Sequence, residues 1–234
     1  MISINALRPD RVRVLTFDCY GTLIDWNGGI WNAFEKRALK DGVVLDREHV
    51  LAAYHRIEPE IEQASFRPYR DILTEVARRV AEACEWRISD EQAAFLPESL
   101  PDWSPFPDTN DALERLASRY RLGILSNVDD DLLAGTRKHL DVDFDFWVTA
   151  DRVRSYKPDL AHFEAARPYV GDPGGWLHVA QSLFHDVGPA SVLGLPVVWV
   201  NRLGETRTEG HPVPDLEVPD LATLADRLIT ATSD

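Results

Sequence analysis

A short buried strand that ends at a carboxylate constrains this chain more than any other feature of its sequence. Residues Val12 to Phe17 are mostly β-branched or apolar, as in a strand buried within a parallel sheet. The strand runs directly into Asp18, and a Gly21-Thr22 turn follows. Ligands of open α/β sheets bind outside the carboxyl ends of the strands. Asp18 is therefore a candidate nucleophile towards carbon or phosphorus; the alternative is a side chain that only caps the turn.

The segment after this strand predicts a helical insertion. From Gly28 to about Leu100, apolar residues recur at helical spacing, and we find no convincing strand. A rigid return linker follows, with prolines at Pro97, Pro101, Pro105 and Pro107. From Asp108 onwards strands and helices alternate, which is typical of a doubly wound parallel sheet. We therefore predict an α/β core of residues 1–25 and 106–234, with an all-helical cap of residues 26–105 that closes over Asp18.

The second part of the chain supplies most of the predicted strands. They are Leu122–Ser126, Phe146–Ala150, Leu177–Ala180 and Pro196–Val200. A helix is predicted over Asp129–Leu140, with acidic residues in its first turn and basic residues in its last, as the helix dipole favours. Another is expected to open after Pro158, and a last one to contain Leu221 and Leu228.

Composition narrows the classes of partner. The chain has 39 acidic and 25 basic residues, a formal net charge of −14, which disfavours nucleic acid and anionic membranes. An anionic small-molecule substrate would need a local basic pocket. Cys19 and Cys84 have no disulfide or metal-binding pattern. We find no signal-peptide core in Met1 to Arg11 and no run of about 18 apolar residues, so no membrane association and a cytoplasmic location are expected.

Polar residues recur near the carboxyl ends of the predicted strands. Because the ends of parallel strands meet at one crevice, we expect these residues to lie together. In chain order they are Asp18 with Thr22, Ser126 with Asn127, Lys157, and Gln181 to Asp186. Each has a structural alternative, such as a helix cap or a solvated turn residue. Their joint order on successive strand ends indicates an active site.

These motifs resemble those of the haloacid dehalogenase-like hydrolase superfamily over nearly the whole chain. The matching stretches are Phe17-Asp18-Cys19-Tyr20-Gly21-Thr22-Leu23, Leu125-Ser126-Asn127, Ser155-Tyr156-Lys157-Pro158-Asp159, and Val179 to Asp186. Phosphatase members have a second Asp two residues after the nucleophile, which protonates the leaving group, whereas this chain has Tyr20. A Tyr of ordinary pKa near 10 is a poor acid at that position. The resemblance is therefore to the 2-haloacid dehalogenase branch, in which the leaving group is a halide.

The fourth motif also departs from the metal-dependent pattern. Magnesium-dependent members have a Gly-Asp pair that supplies a metal ligand, and the matching pair here is Ala180-Gln181. The resemblance thus implies no metal and no cofactor. Lys157 would be the fixed positive charge that keeps Asp18 ionised.

The resemblance implies a two-step hydrolysis. Asp18 displaces the halide from a 2-haloalkanoate, and water, activated by Asp186, then hydrolyses the aspartyl ester. The catalytic residues implied are Asp18, Lys157 and Asp186, and the implied substrate contacts are Tyr20, Thr22, Ser126, Asn127 and, for the halide, Arg56 on a cap helix.

Several positions depart from the dehalogenase pattern. Leu183 replaces a pocket Asn, Phe163 replaces a pocket Tyr, and His185 is an additional candidate base. Two alternatives therefore stay open from the sequence: a Mg²⁺-dependent small-molecule phosphatase of the same fold, and a non-catalytic binding protein that kept the fold. A homodimer is a further expectation, because family members are often dimers.

Overall fold

The computed structural model describes residues 10–62 and 65–230. Its strands are β1 Val14–Phe17, β2 Arg121–Ser126, β3 Phe146–Thr149, β4 Trp176–Ala180, β5 Val197–Val200 and β6 Leu216–Val218. They form one parallel sheet in the order β3-β2-β1-β4-β5-β6. Leu15 pairs with Leu122 on one side and with Leu177 on the other. The strand order reverses beside β1, so Asp18 lies at the switch point where ligands of such sheets bind.

Helices cover both faces of this sheet. They are α1 Trp26–Lys40, α2 Arg47–Glu62, α3 Tyr69–Ala83, α4 Asp90–Ala93, α5 Phe95–Ser99, α6 Thr109–Ala117, α7 Asp130–Thr136, α8 Ala150–Val153, α9 Ala161–Val170, α10 Gly188–Val192 and α11 Leu221–Thr230. Leu15 and Phe17 belong to one hydrophobic cluster, whereas Val14 belongs to a second. Alternate residues of β1 thus pack on opposite faces, and the predicted doubly wound α/β fold is confirmed.

Helices α1 to α5 lie between β1 and β2, and the described part of 26–105 contains no β-strand. The two segments that join them to the sheet run side by side. The Asp25 amide donates to the Ser104 carbonyl at 2.9 Å, and the Phe106 amide donates to the Leu23 carbonyl at 3.0 Å. These paired crossings lie where the sequence places the boundary between core and cap. The division into two domains stays a prediction.

Close contacts lie within the helical insertion and between the insertion and the rest of the molecule. The Trp103 ring packs directly on the backbone of Gly29, where an added Cβ would lie 2.2 Å from the ring. Asp129, from the loop after β2, accepts hydrogen bonds from the backbone amides of Tyr69 at 2.8 Å and Arg70 at 2.9 Å. A residue distant in sequence therefore caps the first turn of α3.

Some element boundaries differ from the sequence-based predictions. β1 begins at Val14 rather than Val12, because its partner β2 begins at Arg121, opposite Val14. The helix expected over Asp129–Leu140 is α7 followed by a 3₁₀ turn at Arg137–His139. The short edge strand β6 was not predicted, because three residues give too little alternation to recognise. Within the described ranges, no helix has the length and apolar character needed to span a bilayer.

Candidate active site

Asp18 is held in place by both of its carboxylate oxygens. Its backbone amide extends the ladder by donating to the Val179 carbonyl at 3.0 Å. Oδ1 accepts from Lys157 Nζ at 2.9 Å and Oδ2 from Thr22 Oγ1 at 2.8 Å. The turn that brings Thr22 back to Asp18 depends on Gly21, whose φ of +89° favours glycine. Only 8% of Asp18 is exposed, yet the residue lines a cavity.

Lys157 connects two buried carboxylates. Its Nζ donates to Asp18 Oδ1, to the Leu125 carbonyl at 2.9 Å and to Asp186 Oδ1 at 2.6 Å. All three ammonium protons therefore have acceptors, which is what a buried Lys requires. Burial alone would lower the pKa of Lys157, but the Asp18 and Asp186 carboxylates together raise it above its usual value. The side chain remains a fixed cation throughout the neutral range.

Asp186 is completely buried and belongs to a hydrogen-bonded chain that the sequence did not reveal. Trp176 Nε1 donates to Thr16 Oγ1 at 2.7 Å, and the Thr16 hydroxyl shares a 2.8 Å hydrogen bond with His178 Nδ1. On the other side of the ring, His178 Nε2 donates to the Asp186 carboxylate, 3.0 Å from its Oδ1. This series of hydrogen bonds helps to fix the orientation of Asp186 through Oδ1, the same oxygen that Lys157 contacts.

The two carboxylates that contact Lys157, Asp18 and Asp186, differ in the direction of their pKa shifts. Burial raises the pKa of Asp18, Lys157 lowers it in part, and the charge of Asp186 raises it further. For Asp186, burial is outweighed by Lys157 and His178, which hold its pKa below the usual range. Asp186 is thus the permanently ionised partner that anchors Lys157. Asp18 is the more basic of the two carboxylates.

The structure brings Ser126 and Asn127 to the same cavity, in different roles. Asn127 Oδ1 accepts from the Lys157 amide at 2.7 Å, and its Nδ2 donates to the Lys157 carbonyl and to Glu62 Oε1, each at 3.0 Å. Its side chain is fully engaged in holding the Lys157 loop. Ser126 is 1% exposed, and its hydroxyl has no hydrogen-bond partner among the described residues. That hydroxyl remains available for a bound molecule.

Tyr20 and Thr22 also serve local structure. The Tyr20 hydroxyl shares a 2.8 Å hydrogen bond with Thr136 Oγ1, and its ring packs against Trp26 with centroids 5.3 Å apart. Thr22 Oγ1 accepts from the Gln181 amide at 2.9 Å while it donates to Asp18. Tyr20 is therefore a wall of the cavity, and Thr22 positions the nucleophile.

Arg56 does not join this group. It is exposed on α2 and is not among the residues that line the cavity. Successive residues of a helix are rotated by about 100°, so Arg56 points some 200° away from Tyr54, about the opposite side. The face that does line the cavity carries Tyr54, Glu58 and Glu62, at spacing i, i+4 and i+8. This spacing was the sequence signal for the two glutamates, which sequence reasoning missed.

The cavity has a volume of about 840 Å³. Its floor carries Asp18, Ser126 and Lys157, and its other lining residues include Tyr20, Trp26, Arg47, Tyr54, His55, Glu58, Glu62, Tyr69, Phe106, Leu183, His185, Asp186 and Arg202. Arg202 is already paired with Asp108 at 2.9 Å and donates to the Thr22 carbonyl at 3.0 Å. Phe163 is buried against His178 instead of lining the cavity.

The described residues contain no group of three or more His, Cys, Asp or Glu side chains arranged to hold a metal ion. The donors nearest Asp18 are a lysine ammonium and a threonine hydroxyl. An ammonium that already occupies a carboxylate oxygen competes with a cation for it. The arrangement suits covalent chemistry on a carboxylate, with Lys157 as the local positive charge.

Known proteins resemble this chain in sequence over most of its length. A profile described as haloacid dehalogenase-like hydrolase matches residues 12–192. (S)-2-haloacid dehalogenase 4A of Burkholderia cepacia is 26% identical over 214 residues, covering 83% of this chain and 85% of that protein. Haloacetate dehalogenase H-2 of Moraxella sp. (strain B) is 27% identical over 215 residues, covering 89% and 94%.

Solved structures show the same fold. L-2-haloacid dehalogenase from Xanthobacter autotrophicus, with chloropropionic acid covalently bound, gives a TM-score of 0.81 at 21% identity. The alignment covers 94% of this chain and 99% of that one. The similarity therefore includes the helical insertion as well as the sheet.

Proposed function

Because the chain belongs to the haloacid dehalogenase-like hydrolases, we propose that it hydrolyses the carbon–halogen bond of a small 2-haloalkanoic acid. The observation that carries this proposal is the buried Asp18 carboxylate, held by Lys157 at 2.9 Å and Thr22 at 2.8 Å beside a cavity. A carboxylate fixed in this way is prepared for nucleophilic attack. The names of relatives, a 2-haloacid and a haloacetate dehalogenase, supply the substrate class.

The first step forms an ester. An Asp18 oxygen attacks the carbon that bears the halogen, the carbon–halogen bond breaks, and the halide leaves with the bonding electrons. The unpaired Ser126 hydroxyl is available to donate to the substrate carboxylate. The positive charge of Lys157 lies beside the nucleophile and attracts the anionic substrate. This local charge favours binding of an anion in a chain whose net charge is −14.

The second step releases the product. Water attacks the carbonyl carbon of the Asp18 ester, and the oxyanion forms next to Lys157 and the amides of the following turn. Asp186 Oδ1 is occupied by Lys157 and His178, whereas its Oδ2 has no partner among the described residues. We assign Oδ2 the role of orienting this water. A carboxylate with a lowered pKa is a weak base, so Asp186 acts through position more than through proton abstraction.

Neither step requires a metal ion or a cofactor. A phosphatase of this fold would need a proton donor at Tyr20, and burial raises the pKa of that phenol well above its usual value. Tyr20 is therefore a weaker acid here than in water, which argues against the phosphatase alternative.

Halide release from chloroacetate, fluoroacetate and 2-chloropropionate, measured with EDTA and with added Mg²⁺, tests the proposal. We expect release in EDTA that disappears in Asp18→Asn and persists in Asp143→Asn, an exposed aspartate away from the cavity. Release that needs Mg²⁺, or that survives in Asp18→Asn, would contradict the mechanism. The absence of release from all three, together with Mg²⁺-dependent hydrolysis of phosphate esters, would favour the phosphatase.

Oxygen isotopes separate ester formation from direct attack by water. With enzyme in excess over substrate in ¹⁸O-labelled water, the first product should contain unlabelled hydroxyl oxygen taken from Asp18. Mass spectrometry of the peptide containing Asp18 should then show the label in the protein. Label in the first product with none in Asp18 would exclude the ester.

Partners and location remain proposals. The net charge of −14 supports a protein that binds no nucleic acid. We retain the homodimer and the cytoplasmic location as proposals. Size-exclusion chromatography with light scattering tests the first, and fractionation of the native host tests the second.

A further inference from the structure

Helix α2 places two carboxyl groups one turn apart in the cavity. Glu62 is 6% exposed and both of its oxygens are engaged. Oε1 accepts from Asn127 Nδ2 at 3.0 Å, and Oε2 pairs with His185 Nε2 at 3.4 Å. Glu62 is thus bound by two donors from the loops that surround Asp18.

Glu58 is held differently. Its Oε1 accepts from the Tyr69 hydroxyl at 2.9 Å, and its Oε2 has no hydrogen-bond partner among the described residues. It lies four residues before Glu62, where two like charges repel. Burial and the charge of Glu62 raise the pKa of Glu58 to about 7. Burial and the neighbouring charge thus drive Glu58 towards its protonated form.

The cavity holds no free guanidinium beside Glu58 in the described part of the chain. Arg202 is tied to Asp108. Arg47 begins α2, eleven residues before Glu58 and so about 16 Å away along the helix axis. A leaving halide on this side meets carboxyl groups where the sequence led us to expect Arg56. An ionised Glu58 would repel the halide, whereas a protonated one offers it a hydrogen bond.

Ser126 supplies an independent sign of where the substrate binds. Its hydroxyl is buried, unpaired among the described residues, and belongs to the same cavity as Glu58. Ser126 and Lys157 on the floor fit a carboxylate and the reacting carbon. The halogen then extends away from Asp18, because displacement proceeds in line. Glu58, on helix α2, lines the cavity into which the halogen extends.

We propose that Glu58 is the group that receives the leaving halide, donating a hydrogen bond to chloride, bromide or iodide and transferring its proton to fluoride. The inference rests on the proposed dehalogenation. As the Asp18 oxygen bonds to carbon, the carbon–fluorine bond breaks and its electrons leave with fluorine, which takes the proton from Glu58. Hydrolysis of the ester by water then forms the hydroxy acid and frees one proton, which restores Glu58.

Several ionisable groups face Glu58. Tyr54 and Glu62 share its helix, Tyr69 lies on α3, and Tyr156 and His185 come from loops of the core. The pKa values of the three tyrosines are raised by burial, so they stay neutral in the neutral range. Burial alone would lower the pKa of His185, but its pairing with Glu62 raises the pKa above the usual value. A change in activity near neutral pH could therefore come from Glu58 or from His185. Variants of Glu58 distinguish the two, because they remove only the titration of Glu58.

The haloacetate series tests the role of Glu58 in wild type, Glu58→Gln, Glu58→Ala and Glu60→Gln, the last an exposed residue of the same helix that does not line the cavity. Gln can donate a hydrogen bond but cannot transfer a proton. We expect Glu58→Gln to lower kcat/KM for fluoroacetate by about 100-fold or more and for iodoacetate by less than about fivefold. Glu58→Ala should lower kcat/KM for every haloacetate, whereas Glu60→Gln should leave kcat/KM unchanged for all of them. An equal loss for all halides in Glu58→Gln would overturn the proposal.

A titration decides the protonation of Glu58 without any turnover. In protein labelled with ¹³C at glutamate carboxyl carbons, the signal missing from Glu58→Gln should titrate near pH 7. A signal that titrates near the ordinary value of about 4.3 would overturn the inference. Because this measurement needs no substrate, its outcome is independent of whether the protein releases halide.

Discussion

Replacing Lys157 with methionine leaves two buried carboxylates next to each other without their shared cation. Asp18 is 8% exposed and Asp186 is 0% exposed, and each binds the same ammonium nitrogen at 2.9 Å and 2.6 Å. Methionine has a similar length and fills much of the same space, so the change removes mainly the charge and its hydrogen bonds. Removing one member of a buried ion pair typically costs about 3–5 kcal/mol.

The loss should depend on pH in a definite direction. Without Lys157, burial and mutual repulsion raise the pKa of both carboxyl groups in the folded state above their unfolded values. The folded protein then binds more protons than the unfolded chain, so its stability falls as the pH rises through this range. At pH 5 the folded variant can recover part of the loss by taking up a proton. At pH 8 it bears the full cost, and the melting temperature should drop by about 6–20 °C for a chain of this size.

Guanidinium unfolding followed by circular dichroism at pH 5 and pH 8 provides the measurement. Wild type, Lys157→Met and Lys138→Met are compared, since Lys138 is exposed and away from the cavity. A loss for Lys157→Met below about 1 kcal/mol at pH 8, or an equal loss at both pH values, would refute the reasoning that the pair of carboxylates depends on this cation.

Three further substitutions test contacts that position the site. Thr22→Val removes the hydroxyl bonded to Asp18, so we expect about 1–3 kcal/mol lower stability and a drop in kcat of about tenfold or more, read by unfolding and halide release. An unchanged kcat would show that Thr22 does not hold the nucleophile. Asp129→Ala removes the acceptor for the first two amides of α3 and should cost about 1–2 kcal/mol in urea unfolding, whereas an unchanged midpoint would contradict the capping role. Gly29→Ala forces a Cβ to within 2.2 Å of the Trp103 ring and should cost about 1–3 kcal/mol, with a change in tryptophan fluorescence. Full stability of Gly29→Ala would mean that the ring moves freely away.

The sequence indicated the features that depend on local pattern. The apolar run before Asp18 indicated a buried strand, helical periodicity indicated the insertion, and alternation of elements indicated the parallel sheet. The order of the polar residues at the strand ends pointed to Asp18, Lys157 and Asp186. These signals arise because strand and helix periods are set by the backbone within a few residues.

Only the tertiary structure decided which residues of the site are joined by hydrogen bonds. Thr16 and His178 are 162 positions apart, and Asp129 and Tyr69 are 60 apart, so no local pattern links them. Helix α2 illustrates the same limit for the leaving group. Its sequence offers both Arg56 and Glu58, and only the rotation of the helix against its neighbours α1 and α3 determines which one lines the cavity. That rotation is fixed by packing of the apolar stripe on distant residues, because burial is a property of the whole fold.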